Sequence, residues 1–405
     1  MSAQEFDVVV YGATGFTGKL VAEHLMRVYG SEGELRWAMA GRDEAKLKAV
    51  RAEIGAPYTL PIIVAGSTDA NALNALAHRT RVVITTVGPY QRYGEGLLAA
   101  CANAGTDYLD LCGEPNWMAA MIAKYEKVAK ESGARIVFSA GFDSIPFDGG
   151  VWFIQREAQA RFGQPLRDVR GRVRKMKGSF SGGTAASMLA TFEAVRRDPS
   201  IAAQMADPFA LSPQRLNPQP DGETPIEEAD INSWSAPFVM AAINTKTAHR
   251  TNALAGYPYG RDFTYSEMML TGPGSKGRAR AKAVASQSRM QRTLLNFAPT
   301  RALITQFAMP KPGQGPNKEE RETGMYDVLF IGTTADGRTL RAGVKGDRDP
   351  GYGSTSKMLA EAAMVLNNTS RQTTPGGIWT PASAMGDALI ARLQERAGLT
   401  FALEN

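Results

Sequence analysis

Short apolar runs alternate with segments of helical periodicity over the first third of the chain. Phe6–Tyr11 is a β-branched run, and Thr17–Tyr29 after it carries Leu20, Val21, Leu25, Met26 and Val28 at helical spacing. Leu35–Ala40, Leu60–Ala65, Val82–Val87, Tyr108–Leu111 and Arg135–Ala140 read as five further strands. Asp43–Ile54, Asp69–His78, Gly94–Ala104 and a long stretch after Pro115 read as helices between them. Asp69 is the residue type that caps a helix start. The strands lack strict polar alternation, which predicts a mostly parallel sheet with both faces covered. That is an α/β, doubly wound Rossmann architecture.

After Phe142 the pattern changes. Asp148–Phe162 reads as a helix, and Asp168–Lys177 alternates apolar and basic residues as a strand with one wet face does. A helix is expected from Gly182 to Arg197, then a proline-rich surface excursion from Asp198 to Ala236. Asp262–Leu270 reads as a strand, Gly274–Phe297 as a basic helix and Pro310–Lys318 as a flexible loop. Met325–Thr333 and Thr339–Lys345 form a hairpin pattern whose connection contains Asp336-Gly337, a turn signal. Helices over Ser354–Asn367 and Ser383–Ala397 complete the reading.

At 405 residues the chain exceeds the span of one core, so two domains are expected. Its 46 Lys and Arg against 40 Asp and Glu leave a net charge of +6, with a pI near 9.2. The excess is spread thinly, which suits an anionic small molecule and argues against nucleic acid. Two cysteines do not make a disulfide framework, and no charged-then-apolar leader precedes the first strand. A cytoplasmic protein is therefore expected, with peripheral contact at a membrane surface and a homodimer left open. The three histidines do not cluster, so no metal is assigned.

Val8-Val9-Val10-Tyr11 runs straight into Gly12-Ala13-Thr14-Gly15-Phe16-Thr17-Gly18. Gly12 permits a tight turn out of the strand, Gly15 lets backbone approach a pyrophosphate, and Gly18 lets the helix pack closely on the sheet. A glycine triplet alone is weak; placed between a strand and a helix it reads as a dinucleotide turn. The second strand ends in Ala40-Gly41-Arg42, where an NAD-selective protein has an acidic residue. Arg42 can take a 2′-phosphate through paired charge-assisted bonds and Gly41 leaves room for adenosine, so NADP(H) is expected. Asp43 reads as the cap of the next helix. Val87-Gly88-Pro89-Tyr90 ends the fourth strand and would turn the chain beside the nicotinamide.

Tyr90, Glu114 and Asp143 are the candidate catalytic residues, with Ser144 beside them. Each also has a structural reading: a packing aromatic for Tyr90, a backbone-binding carboxylate for Glu114, a helix cap before Pro146 for Asp143 and Ser144. Cys112 reads as a small packed residue rather than a nucleophile.

With these residues in hand, the chain resembles the saccharopine dehydrogenase-like oxidoreductases, and is most similar to the branch of trans-acting enoyl reductases. The resemblance rests on Tyr11–Gly18, Ala40–Arg42, Gly88–Tyr90, Tyr108–Glu114 (Tyr-Leu-Asp-Leu-Cys-Gly-Glu) and Gly141–Pro146 (Gly-Phe-Asp-Ser-Ile-Pro). It continues through Ser181–Thr184, Asp349–Gly353 and Gly376–Pro381, and so runs nearly end to end. It implies an NADP-binding Rossmann domain (1–145) and a second domain with a mostly antiparallel sheet for substrate and dimerisation (146–370). A C-terminal segment (371–405) would return to the first domain.

The implied activity is NADPH-dependent reduction of an unsaturated acyl or keto-type, lipid-like substrate. Hydride addition to an enoyl thioester leaves an enolate, which needs hydrogen-bond donors and a proton. Tyr90 is the expected oxyanion donor, and Asp143 orients the substrate or the nicotinamide amide. An amino-acid dehydrogenase of the saccharopine type is a rival reading; it needs cations for several carboxylates, from Arg250, Arg261 or Arg278. A non-catalytic NADP(H)-binding scaffold at a membrane surface is the other. Met240, Met268, Met269, Met290, Met309, Met325, Met358 and Met364 suit an adaptable apolar pocket or simply a core.

Overall fold

A computed structural model describes residues 4–178, 182–296 and 315–405. Within them the chain builds two seven-stranded sheets. The first contains β1 (Phe6–Tyr11), β2 (Trp37–Gly41), β3 (Ile62–Val64), β4 (Thr80–Thr85), β5 (Asp107–Leu109) and β6 (Arg135–Val137). Their order, β6-β5-β4-β1-β2-β3, is that of a dinucleotide-binding sheet, and every pairing is parallel. Val8, Val9 and Val10 are all fully buried, since helices cover both faces of the central strand. The order reverses between β1 and β4, which opens a crevice at their carboxyl ends.

The second sheet contains β7 (Leu166–Lys177), β8 (Ile226–Glu228), β9 (Ser233–Pro237), β10 (Thr264–Gly272), β11 (Met325–Thr334) and β12 (Thr339–Gly346). It is mostly antiparallel, with β7 and β10 its one parallel pair among the described residues. The Asp198–Ala236 excursion holds the helix Ser200–Ala206 as well as β8 and the start of β9. Of the loop read over Pro310–Lys318, residues up to 314 lie outside the described ones, as do Ser181 and Met309.

The last quarter of the chain visits both sheets. Helix Thr355–Asn368 packs on the helix Phe16–Tyr29 and on β4. β13 (Gly377–Trp379) adds a seventh parallel strand beside β6, whereas β14 (Leu399–Glu404) pairs with β12 of the second sheet. A buried carboxylate ties this return down. Glu361 accepts from Tyr29 Oη (2.6 Å) and Arg392 Nε (2.7 Å), and lies 2.7 Å from His24 Nε2.

Helix Ala241–Leu254 had no signature in the sequence. It buries Asn244, Lys246, Thr247, His249, Arg250, Thr251 and Asn252, so it has no apolar stripe to read. Most of these polar groups are matched instead: Lys246 donates to the carbonyls of Met205 (2.7 Å) and Ala242 (2.8 Å), and Asn252 to that of Gly260 (2.9 Å), whereas Arg250 Nε has no partner among the described residues.

Candidate active site

The glycine turn is built by backbone. Gly12, at φ +88°, donates its N–H to the Ala40 carbonyl (2.9 Å), and Gly15 donates to the Gly12 carbonyl (2.9 Å). A Cβ on Gly18 would run into the Gly12 carbonyl, so the helix lies too close to the strand for any side chain there. Gly15 differs. An added Cβ would meet only the Gly12 carbonyl, at 3.2 Å, and otherwise faces open space. Helix Phe16–Tyr29 begins with no side-chain cap and no acidic residue in its first turn. Its first N–H groups are left for a ligand, an arrangement that fits a pyrophosphate.

The other cofactor candidates gather around this turn. Thr14 lies beside Gly41, with its hydroxyl 3.8 Å from where a Gly41 Cβ would stand. Val87 and Thr86 flank Gly12 from the end of β4, and the Thr86 hydroxyl donates to the Gly12 carbonyl (3.3 Å). Arg42 is exposed and has no hydrogen-bond or ion-pair partner among the described residues. It is close enough to offset part of the burial that pushes the Tyr11 hydroxyl up to about 12. Asp43 caps the following helix through the N–H of Lys46 (3.0 Å), as its position in the sequence suggests. Gly88 is exposed at the turn before Tyr90 and faces Ser187 of helix Gly182–Arg197. Gln91 Nε2 donates to Thr191 Oγ1 (3.1 Å) and Arg92 pairs with Glu193 (2.8 Å), so that helix packs against the turn that follows β4.

The three catalytic candidates sit at one sheet edge and meet different fates. Tyr90 is buried, and its hydroxyl donates to the Thr85 carbonyl (3.1 Å) and accepts from the N–H of Leu111 (3.3 Å). Its one proton is spent inside the fold, so it does not point at a developing oxyanion. Glu114, only 1% exposed, accepts the N–H of Tyr90 and the N–H of Gln91, both at 2.9 Å. Both its oxygens are thus committed to holding the Pro89–Gln91 turn, as a backbone-binding carboxylate does. Asp143 is partly exposed, and its carboxyl lies 3.7 Å from where a Cβ on Gly113 would stand. No donor reaches it among the described residues, and burial alone pushes it up to about 7.

Ser144 stands at the start of helix Ile145–Phe162, but its side chain does not cap it. The hydroxyl donates to Asn244 Oδ1 (3.3 Å) and lies 3.1 Å from Thr247 Oγ1, which joins the Asp143 loop to the second region. Cys112 is fully buried and its thiol is pushed well above the ordinary range, as for a packed residue. Asp110 is a feature that sequence reasoning missed. It accepts from Cys112 N (3.0 Å), Ser139 N (2.9 Å) and Tyr108 Oη (3.0 Å), which locks the loops after β5 and β6 together.

The arginines considered as carboxylate clamps are otherwise engaged. Arg250 is buried and donates to the Leu211 carbonyl (2.6 Å), the Ile378 carbonyl (2.5 Å) and Glu126 (3.1 Å). Arg261 lies over Tyr257 and Arg278 over Trp234. Of the methionines, Met268, Met358 and Met364 are core, and Met290 is exposed.

Comparison with known proteins agrees with this geometry. The saccharopine dehydrogenase NADP binding domain matches residues 8–137, which span β1 to β6. A trans-acting enoyl reductase of Mycobacterium tuberculosis is 38% identical over 407 residues, covering 96% of each chain. The chain belongs to the saccharopine dehydrogenase NADP-binding family. A second M. tuberculosis protein, provisionally named a trans-acting enoyl reductase, is 42% identical over 413 residues, again covering 96% of each chain. Among solved structures, saccharopine dehydrogenase (L-Glu forming) of Saccharomyces cerevisiae matches over 98% of this chain and 100% of its own, with a TM-score of 0.54 and 12% identity. That likeness concerns the fold. Membership makes the protein an oxidoreductase of an NADP-dependent family, and no described helix is long and apolar enough to cross a membrane.

Proposed function

We propose that the protein reduces the carbon–carbon double bond of an enoyl thioester with NADPH, and that Asp143 supplies the proton. The observation that carries this reading is a carboxyl group at the crevice with no hydrogen-bond donor among the described residues and a pKa pushed up to about 7. Such a group is substantially protonated near neutral pH and can donate a proton in the transition state.

When bound, NADPH supplies the hydride, delivered to the β-carbon. This chain's residues do the rest. Backbone amides at 15–18 hold the pyrophosphate, and Arg42 takes the 2′-phosphate. Gly88 and Pro89, braced by Glu114 through Tyr90 and Gln91, shape the floor under the nicotinamide. Helix Gly182–Arg197 covers that end and limits water. Asp143 then gives its proton to the α-carbon as the enolate collapses. The enoyl reductase relatives support this substrate class. The amino-acid dehydrogenase reading loses support because Arg250, Arg261 and Arg278 all have other engagements.

Steady-state NADPH oxidation is the direct measurement. Turnover with a long-chain enoyl thioester and none with glutamate plus an aldehyde is expected. The reverse preference would transfer the assignment to secondary-amine chemistry, and tight NADPH binding without turnover on either would leave a scaffold.

A further inference from the structure

We propose that Arg321, on the short helix Lys318–Thr323, is a ligand for the pyrophosphate of the bound dinucleotide. The inference rests on the nucleotide reading of the glycine turn and adds a residue far from it in sequence. The Arg321 guanidinium lies over the ring of Phe16, 5.6 Å from its centroid, and Phe16 is the first residue of the helix that starts in the turn. Tyr352 packs edge-on against the same ring, with centroids 5.2 Å apart at 82°.

The electrostatics of this contact are unbalanced. An uncapped helix start presents several N–H groups and carries partial positive charge, and its first turn has no acidic residue. Arg321 brings a full positive charge over the side chain of that helix's first residue. Among the described residues no carboxylate lies within ion-pair distance of it. Asp349 feels Arg321 from farther off, but its oxygens accept the N–H groups of Tyr352 (3.0 Å) and Gly353 (2.7 Å). Two positive centres placed together with no anion between them call for one, and the pyrophosphate is the anion that the turn fits.

The guanidinium is also held ready. Its Nη1 donates to the Pro316 carbonyl (2.8 Å), which engages one of its five N–H bonds. The Arg321 carbonyl accepts the N–H of Asp349 (3.0 Å), and a capping box between Asn317 and Glu320 fixes the helix start. A planar guanidinium so placed can meet two phosphate oxygens at once. Arg42 sits beside the end of β2, at the adenosine side of the crevice, so the two arginines read different phosphates.

Calorimetric titration of NADPH, NADH and adenosine 2′-monophosphate separates them. In Arg321→Ala both dinucleotides should bind roughly tenfold more weakly, while adenosine 2′-monophosphate, which lacks a pyrophosphate, binds as before. Arg321→Lys, which keeps the charge and loses the fork, should recover part of the dinucleotide affinity. Unchanged affinity for both dinucleotides in Arg321→Ala, with unaltered thermal unfolding, overturns the assignment. Loss confined to NADPH overturns it too, since Arg321 would then read the 2′-phosphate. Wild-type protein that binds neither dinucleotide removes the nucleotide reading itself, a result distinct from both.

Discussion

Glu114 and Asp143 follow adjacent parallel strands at one sheet edge, yet their surroundings give them opposite chemistry. The loop after β5 turns its carboxylate onto two backbone N–H groups of the Pro89–Gln91 turn, and the side chain is sealed from water. The loop after β6 leaves its carboxyl without a donor among the described residues, in a partly open position where burial alone raises its pKa to about 7. A carboxylate with both oxygens engaged by N–H groups is a strut; one with none is available to a substrate. The residue type is nearly the same, and the partner decides the role.

The phosphate side of the crevice supplies the largest effect. Gly15→Val would fill the open space over the helix start with methyl groups. NADPH binding should fall below detection by calorimetry, with the far-ultraviolet circular dichroism of the apo protein unchanged. Normal affinity in that variant would put the pyrophosphate elsewhere.

Asp143→Asn breaks the comparison most directly. A loss in kcat on the order of 10²–10³-fold is expected, with little change in NADPH affinity. Wild-type kcat should decline as pH rises through about 7, as the carboxyl loses its proton, and the variant should lack that limb. Stability must move with it. The folded-state pKa of about 7 lies above the ordinary 3.8, so the native state holds a proton that the unfolded chain releases. Stability therefore falls as pH rises between those values, and the asparagine variant should melt higher than wild type at pH 8. An unaltered pH profile would rule Asp143 out as the acid.

Arg42→Ala should weaken NADPH binding by roughly 10- to 100-fold and leave NADH unaffected. Equal losses would mean that this guanidinium never meets the 2′-phosphate. The smallest effect on chemistry is expected for Glu114→Gln, which swaps an acceptor oxygen for a donor against two N–H groups. It should cost about 1–3 kcal/mol in urea unfolding while the pH dependence of kcat stays as in wild type. A shifted pH profile would instead make Glu114 a proton carrier.

Local signals were strong where function uses backbone. The run Val8–Tyr11 into Gly12–Gly18 located β1, the turn and the helix after it, because strand, glycine spacing and helix start are all short-range features. Ala40-Gly41-Arg42 located the end of β2 for the same reason. The signals were weak where burial is achieved by hydrogen bonds. Helix Ala241–Leu254 has a polar interior face, so its periodicity was silent. β13 covers three residues, and pairing with β6 and β12 is what makes strands of it and of β14.

The sequence by itself determined the parallel nucleotide-binding sheet, its glycine turn and the basic residue at the end of β2, since each follows from steric and charge rules acting within a few residues. Tertiary structure alone decided which titratable groups stay free. It turned the Tyr90 hydroxyl inward, engaged Glu114 and Arg250, and left Asp143 and Arg321 without an ion-pair partner among the described residues. The physical reason is that hydrogen-bond capacity is finite, and which groups use it up depends on neighbours brought from distant parts of the chain.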